Sequence, residues 1–267
     1  MGRSPQVPEG HTLHRVARAW QPAIGCRVRT SSPQGRFLDG ARLLDGRVVE
    51  DVQAYGKHLL FTFGDVYLHV HLGLAGSMFE ARPGGEPSRG VRLRLAVEPP
   101  GPTWDIVAPI RCELFDEVAQ ANLRARLGPD PLRGDDPQPA FARMSASAKS
   151  IGALLLDQQI IAGVGNVFRA EVLHRCHIHP ERRGSSLTPA DFMCLWSTLV
   201  CMMERATDEG RIITVDVPDG VDRAELDQSD GRYVYKQQRC RDCGAEVRTW
   251  PLGNRTAYAC ETCQPLL

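Results

Sequence analysis

The sequence predicts an α+β protein: a β-rich N-terminal half flanked by helices, then a helical half that ends in a metal-clamped hairpin. Three observations predict it. Between Cys26 and Val107 the chain passes through seven short β-like runs separated by Gly, Pro and Asp, the rhythm of a sandwich or barrel-like layer. After Gly128-Pro129-Asp130-Pro131 the apolar residues recur at helical spacing. Near the C-terminus two Cys-x2-Cys pairs stand sixteen residues apart, a zinc-ribbon spacing.

The elements follow in order. Residues 8–20 read as an amphipathic helix with Leu13, Val16, Ala17 and Trp20 on one face. The β-like runs are 26–30, 47–53, 58–63, 66–72, 77–80, 91–97 and 104–107, and 116–127 is helical. The Pro-rich breaks at 128–131 and 133–139 mark a domain boundary. Short helices are predicted at 139–147, 151–158 and 166–175. A longer one opens on Thr188-Pro189-x-Asp191, a cap with proline at the first helical position. Its apolar face, Phe192, Leu195, Trp196, Leu199, Met202 and Met203, is plain core. Residues 215–231 are acidic and Gly-rich, expected to form a mobile loop. The organisation expected is 1–7 as an extension or a mis-annotated start, 8–127 as a β-sandwich domain, 128–231 as a helical domain and 232–267 as a separate zinc hairpin.

Composition narrows the class. Hydrophobic residues make up 42% and charged residues 24%, ordinary for a globular chain and incompatible with wholesale disorder. No apolar run approaches the roughly 20 residues that span a bilayer, and the first fifteen residues lack the apolar core of a secretory signal. No membrane association is expected. The net charge is zero, 32 basic against 32 acidic residues, so the global count does not point to nucleic acid. Locally, Arg232 to Arg255 carries six basic and two acidic residues, mostly arginine, the side chain suited to phosphate.

Nine cysteines divide into two sets. Cys26, Cys112, Cys176, Cys194 and Cys201 are scattered and read as small buried hydrophobes in a reducing compartment. Cys240, Cys243, Cys260 and Cys263 can close a tetrahedral site around one Zn2+. Four thiolates leave no open position, so the ion is expected to be structural. The β-like stretches 247–250 and 256–259 make a clamped hairpin around Pro251-Leu252-Gly253-Asn254, with Arg255 just past its tip. Taken alone, Arg255 is a solvated turn arginine and Pro8-Glu9 an ordinary helix start.

Further segments change that reading. PEGHTLHR from Pro8, SSPQGRF from Ser31, GKHL from Gly56, HVHLGL from His69, LGPDPL from Leu127, IGALL-D from Ile151 and the Gly163-Val164-Gly165-Asn166 turn occur in one order with the zinc hairpin. This set resembles the formamidopyrimidine-DNA glycosylase/endonuclease VIII family, and within it the actinobacterial endonuclease VIII type. The likeness runs from Pro8 to Gln264. It implies a β-sandwich joined to a helix–two-turn–helix domain and a zinc-finger hairpin, with DNA in the cleft between. It implies a bacterial, cytoplasmic, nucleoid-associated monomer acting in base excision repair, a DNA glycosylase and AP lyase whose partner is double-stranded DNA containing oxidised bases or abasic sites.

The resemblance also implies roles. Pro8 matches the N-terminal proline whose amine attacks the sugar C1′. Glu9 matches the acid that protonates the ring oxygen, Lys57 the lysine of β-elimination, and Arg255 the arginine that binds the lesion phosphate and serves δ-elimination. Asn166 and Arg126 match DNA-contacting residues, and Leu74 the wedge that fills the hole left by the flipped base. Three departures stand out. Seven residues precede Pro8; Gly73 and Ala75 flank Leu74, so that loop supplies no bulky triad; and 108–113 reads Ala-Pro-Ile-Arg-Cys-Glu in place of an Arg-Arg-Phe-Gly loop. The last departure favours oxidised pyrimidines over 8-oxoguanine. An internal proline nitrogen is an amide with a delocalised lone pair, so the mature protein is expected to begin at Pro8. If it does not, the alternative is a non-catalytic damaged-DNA-binding protein. A zinc-ribbon interaction module unrelated to DNA leaves the N-terminal motifs unexplained.

Overall fold

The computed structural model describes residues 8–82, 84–99, 101–217, 220–227 and 230–266; the expectation for residues 1–7 lies outside them. The chain divides into two compact units, one ending at Arg126 and the other beginning at Leu127.

The first unit contains α1 (Gly10–Trp20), β1 (Val28–Ser31), α2 (Leu38–Leu44), β2 (Asp51–Tyr55), β3 (His58–Phe63), β4 (Val66–His71), β5 (Ser77–Glu80), β6 (Val91–Val97), β7 (Thr103–Val107), β8 (Arg111–Phe115) and α3 (Glu117–Arg126). Two four-stranded antiparallel sheets form, in the orders β1-β6-β7-β5 and β2-β3-β4-β8. Alternation drives their stacking: β6 buries every second side chain, Val91, Leu93, Leu95 and Val97. Leu93, Leu95 and Val97 meet Leu59, Phe61, Leu68 and Val70 of the other sheet in one core. Trp20 closes it, with its ring 4.9 Å from Phe61 and 5.8 Å from Trp104. The barrel-like alternative therefore gives way to a sandwich.

Two elements were absent from the sequence reading. α2 is a seven-residue helix containing Gly40, too short for a helical period to show. β8 is an edge strand of mixed polarity whose residues are all at least partly exposed, so it carries no alternation. The strand expected at 47–53 begins instead at Asp51, with only an isolated bridge from Arg27 to Val48 before it.

The second unit contains α4 (Gln138–Ser145), α5 (Ile151–Leu154), α6 (Asn166–Arg175), α7 (Pro189–Glu209), β9 (Arg248–Leu252) and β10 (Arg255–Ala259). α7 starts on a full capping box between Thr188 and Asp191. α6 is buried from Val167 to His174, and its polar side chains organise what surrounds it. The Glu171 carboxylate accepts backbone N–H bonds from Tyr233 (2.8 Å), Val234 (3.0 Å) and Tyr235 (2.8 Å), and a bond from the Thr214 hydroxyl. Such charge-assisted bonds satisfy a buried carboxylate. They lock the segment leading to the cysteine quartet into the helical core, where Tyr233, Val234, Cys240, Val247 and Cys260 pack with Phe168, Phe192 and Leu199.

Two expectations are corrected in this unit. Cys176 and Cys194 form a disulfide between the end of α6 and α7, their Cα atoms 6.1 Å apart and within bonding reach. Of the other scattered cysteines, Cys201 is exposed and Cys26 and Cys112 are half-buried, so the set is not one of buried free thiols. The loop 215–231 is also tied down at its described residues: Arg223 donates to the Glu209 carboxylate (2.8 Å) and the Ile213 carbonyl (2.9 Å), and Arg211 to the Leu226 carbonyl (3.1 Å).

Candidate active site and metal centre

Five of the predicted site residues lie in the first unit. Pro8 is half-buried immediately before α1. Glu9 is the N-cap of that helix, only 1% exposed, with its carbonyl accepting the Thr12 N–H. A carboxylate there sits at the positive end of the helix. Lys57 stands on the β2–β3 turn after Gly56, whose φ of 55° suits glycine. Arg126 ends α3 and is exposed.

Leu74 is lifted out by the turn after β4 and is 56% exposed. Gly73 is required in that turn: its φ is 70°, and a Cβ would fall 3.0 Å from Cβ of Ile110. Ile110, on the β7–β8 connection, is 67% exposed. Two aliphatic side chains thus reach solvent from neighbouring turns, a signature of a contact surface rather than a core. Sequence reasoning missed Ile110; its one signal was an isoleucine in a turn.

The face of β3, β4 and β8 opposite the core holds polar residues to which the sequence reading gave no role, although the three histidines lie in its GKHL and HVHLGL motifs. His58 Nδ1 lies 2.9 Å from His69 Nε2, and His69 Nδ1 lies 3.1 Å from Glu113 Oε1. His71 packs edge-on against His58, with centroids 4.7 Å apart, and its Nδ1 accepts the Gly73 N–H at 2.9 Å. Burial, then the neighbouring His71, His69 and Lys57, push His58 down to about 3. Burial, His69 and Lys57 push His71 down to about 4. His69 is lowered by burial against the opposing pull of Glu113. All three rings are neutral at physiological pH. Their signal was the alternation in His69-Val70-His71, which puts both imidazoles on one face.

The second unit brings the remaining residues together. The turn between α5 and α6 is stapled by Gln158, whose amide donates to the Leu156 and Val164 carbonyls (3.0 Å each) and accepts from the Gly163 N–H (3.0 Å). Asn166 begins α6 directly after the Gly165 N-cap. Its amide donates to the Thr256 carbonyl at 3.1 Å, and buried Arg169 donates to the same oxygen at 2.7 Å. The helix start and the β9–β10 hairpin are thereby tied at the residue next to Arg255. Arg255 itself pairs with Leu252 across the hairpin and is exposed. Gln264, which closes the motif that carries the resemblance but was given no role from the sequence, is fully buried. It accepts the Cys260 N–H (3.1 Å) and donates to the Ile178 carbonyl (2.8 Å), stitching the last knuckle to the helices.

The four predicted cysteines converge, with all their sulfurs within 4.8 Å of one another. Cys243–Cys260 and Cys240–Cys263 separations are 3.5 and 3.9 Å. A tetrahedral ion with arms of about 2.3 Å sets sulfurs roughly 3.8 Å apart, far beyond a disulfide bond. The quartet fits a single metal ion. His174 Nε2 lies 3.3 Å from the Cys240 sulfur.

A sandwich with Pro-Glu at its first helix, followed by a two-turn helical unit bearing a four-cysteine hairpin, defines a class of DNA-repair enzyme. Comparison with known proteins gives the family. Residues 7–107 match the formamidopyrimidine-DNA glycosylase N-terminal domain, and 127–217 match the H2TH domain of the same enzymes. The chain is 43% identical over 270 residues to endonuclease 8 1 of Mycobacterium tuberculosis, covering 97% of this chain and all of that one. It is 32% identical over 232 residues to the formamidopyrimidine-DNA glycosylase of Geobacter sulfurreducens, with 83% of each covered. A Lactococcus lactis Fpg solved with oxidized pyrimidine containing DNA superposes with a TM-score of 0.75 at 23% identity. A mutant of that protein with Fapy-dG containing DNA gives 0.77 at 23%, covering 97% of this chain and all of that one. The chain belongs to the formamidopyrimidine-DNA glycosylase/endonuclease VIII family, whose named members are DNA glycosylases with AP lyase activity.

Proposed function

We propose that this chain removes oxidised bases from duplex DNA, pyrimidines in preference to 8-oxoguanine, and then cleaves the strand. What carries the reading is the full-length relationship to endonuclease 8 1 together with Pro8, Glu9, Lys57 and Arg255 at the family's reactive positions.

The chemistry follows from these groups. The Pro8 amine attacks C1′ and the base departs, protonated as it leaves. Glu9 donates a proton to the sugar ring oxygen as the ring opens. A secondary amine gives an iminium with no N–H to lose, so the cation persists as an electron sink. Lys57 takes the C2′ proton, and its electron pair expels the 3′ phosphate. Arg255 binds the phosphate and serves the second elimination, which expels the 5′ phosphate. Asn166 and Arg126 hold the backbone, where phosphate contacts supply affinity. Leu74, with Ile110 beside its turn, fills the gap left by the extruded base and offsets part of the unstacking cost of a few kcal/mol. Cys240, Cys243, Cys260 and Cys263 hold one structural Zn2+, which when bound clamps the hairpin that carries Arg255. No helix among the described residues is long and apolar enough to cross a membrane; the working place is the bacterial cytoplasm and nucleoid.

Pyrimidine preference rests on the 108–113 stretch. It has no arginine–phenylalanine pair to fill the stack and meet the orphan cytosine, and a damaged pyrimidine costs less to extrude and asks less of the pocket. Single-turnover assays on thymine glycol and 8-oxoguanine duplexes test it; faster release of 8-oxoguanine opposite cytosine overturns it.

Borohydride trapping on an oligonucleotide with one oxidised base tests the activity itself. Mass spectrometry of the cross-linked peptide is expected to find the sugar on the Pro8 nitrogen of a chain that starts at Pro8. A chain that keeps residues 1–7 is expected to bind the duplex without trapping. Trapping through a lysine, or by a chain starting at Met1, removes Pro8 from its role.

A further inference from the structure

The four-cysteine centre has a buried imidazole beside it. His174, in the last turn of α6, is 0% exposed, and its Nε2 lies 3.3 Å from the Cys240 sulfur. That cysteine is itself only 2% exposed. Asp242 Oδ2 lies 3.4 Å from the same nitrogen. A metal-bound thiolate and a carboxylate both only accept, so the proton of these contacts belongs to Nε2. The opposite nitrogen, Nδ1, meets no partner among the described residues. The polar role left to the imidazole is that of a donor to the acceptors in front of Nε2, whatever its charge.

α6 builds this arrangement. Glu171 and His174 stand three residues apart on one helix and share a face. Glu171 grips the N–H groups of Tyr233, Val234 and Tyr235, which fixes the segment that runs on to Cys240. The Tyr233 ring stacks on the imidazole, with centroids 5.0 Å apart and planes 19° from parallel, and so sets the plane of its N–H. Just past the helix, His177 Nδ1 donates to the Cys263 carbonyl at 3.0 Å. The end of α6 thus reaches both knuckles. Four thiolates outnumber the charge of one Zn2+, so the occupied centre is an anion, in a core that includes Phe168 and Leu199. A buried anion is costly without donors around it. An N–H aimed at one sulfur spreads that charge and helps to hold the ligand.

We propose that His174 is a positioning residue of the metal centre: its Nε2–H donates to the Cys240 thiolate, holds that sulfur in place and raises the affinity of the quartet for Zn2+. The proposal rests on the single-ion reading of the quartet and adds a residue to it. His174 does not ligate the ion, because a ring nitrogen that carries a proton has no lone pair to give. His174→Phe is the informative change. It keeps a flat ring against Tyr233 and removes the N–H together with the unpartnered Nδ1. Were His174 there for packing alone, replacing both polar atoms by an apolar ring would be neutral or stabilising. His174→Gln returns an N–H at similar reach. Asp242→Ala removes the competing carboxylate and leaves the N–H to the sulfur.

The test uses the full chain and reads the metal rather than the reaction. In competition with a chromophoric chelator, His174→Phe is expected to bind Zn2+ at least about tenfold more weakly, within the range for partners of metal ligands. His174→Gln is expected to recover most of the loss, and Asp242→Ala to stay near the wild-type affinity. A hydrogen bond lowers the energy of sulfur lone pairs. The thiolate-to-metal charge-transfer band of the Co2+-loaded chain is therefore expected to move to longer wavelength in His174→Phe and back in His174→Gln. Nitrogen-15 NMR of the zinc-loaded wild type is expected to show His174 protonated on Nε2, a reading that needs no variant and stands if His174→Phe fails to fold. Unchanged zinc affinity and cobalt spectrum in His174→Phe, or no recovery in His174→Gln, overturns the proposal. So does a loss in Asp242→Ala equal to that in His174→Phe, or a wild-type His174 without a proton on Nε2. A wild-type chain that takes up no zinc overturns the single-ion reading, a separate result, and the proposal with it.

Discussion

Two glutamates show how differently one side chain can be used in this fold. Glu171 lies inside the second unit with three backbone N–H groups and the Thr214 hydroxyl around its carboxylate. Its removal leaves several buried donors without a partner, each costing about 1–3 kcal/mol. Glu171→Ala is therefore expected to lower stability by at least about 3 kcal/mol, read as a drop in the urea midpoint of the second unit's transition. Glu9 is equally buried, at the first turn of α1, but its proposed work is on the sugar. Glu9→Gln keeps size and fold, so duplex binding by anisotropy is expected to stay within about twofold, because phosphate contacts carry the affinity. Base release is expected to fall below detection; full excision by Glu9→Gln sinks its assignment. Neither glutamate's burial could be read from its neighbours in sequence, since the groups that surround Glu171 are some forty to sixty residues away.

At the scale of elements, the second sheet carries an acid-sensitive row. An unfolded imidazole takes up its proton near 6.5, whereas in the fold His58 waits until about 3 and His71 until about 4. Between these values the unfolded chain binds more protons than the native one. The stability these groups permit is intact above about 6.5 and falls as pH drops toward 4. Urea unfolding of the first unit at pH 7.5 and pH 5 is expected to show that loss, and His58→Leu to flatten it; an unchanged slope in His58→Leu contradicts the assignment. The same sheet shows what was legible beforehand. β3 and β6 alternate or run apolar between turn residues, and their limits follow from the sequence. β8 is an edge strand that pairs on one side only and shows no period, and without it Glu113 had no place beside His69. The site residues identified by resemblance were found as sequence words; the histidine row, a product of strand register, was not.

On the scale of the whole chain, the cysteine quartet decides how far loss of the metal spreads. Spacing alone suggested a separate hairpin, one that could unravel by itself. In the structure Cys240, Cys260 and Val247 share a core with Phe168 of α6 and Phe192 and Leu199 of α7. The Thr256 carbonyl is held by Asn166 and Arg169 of α6, and the Ile178 carbonyl by Gln264. Four thiolates released from an ion repel one another or take up protons, and two of these sulfurs are buried. Chelation is therefore expected to loosen the α6 environment as well as the hairpin. The Phe168 and Val172 amides should lose hydrogen-exchange protection along with those of β9 and β10. Duplex binding should weaken through displacement of Arg255, and it should recover when Zn2+ is returned. Equimolar zinc by mass spectrometry of the native protein is the accompanying expectation. A chelated protein that keeps α6 fully protected while β9 and β10 exchange freely shows that the hairpin is independent. One that keeps full strand-cleavage activity without metal shows that the quartet does not hold Arg255 in place.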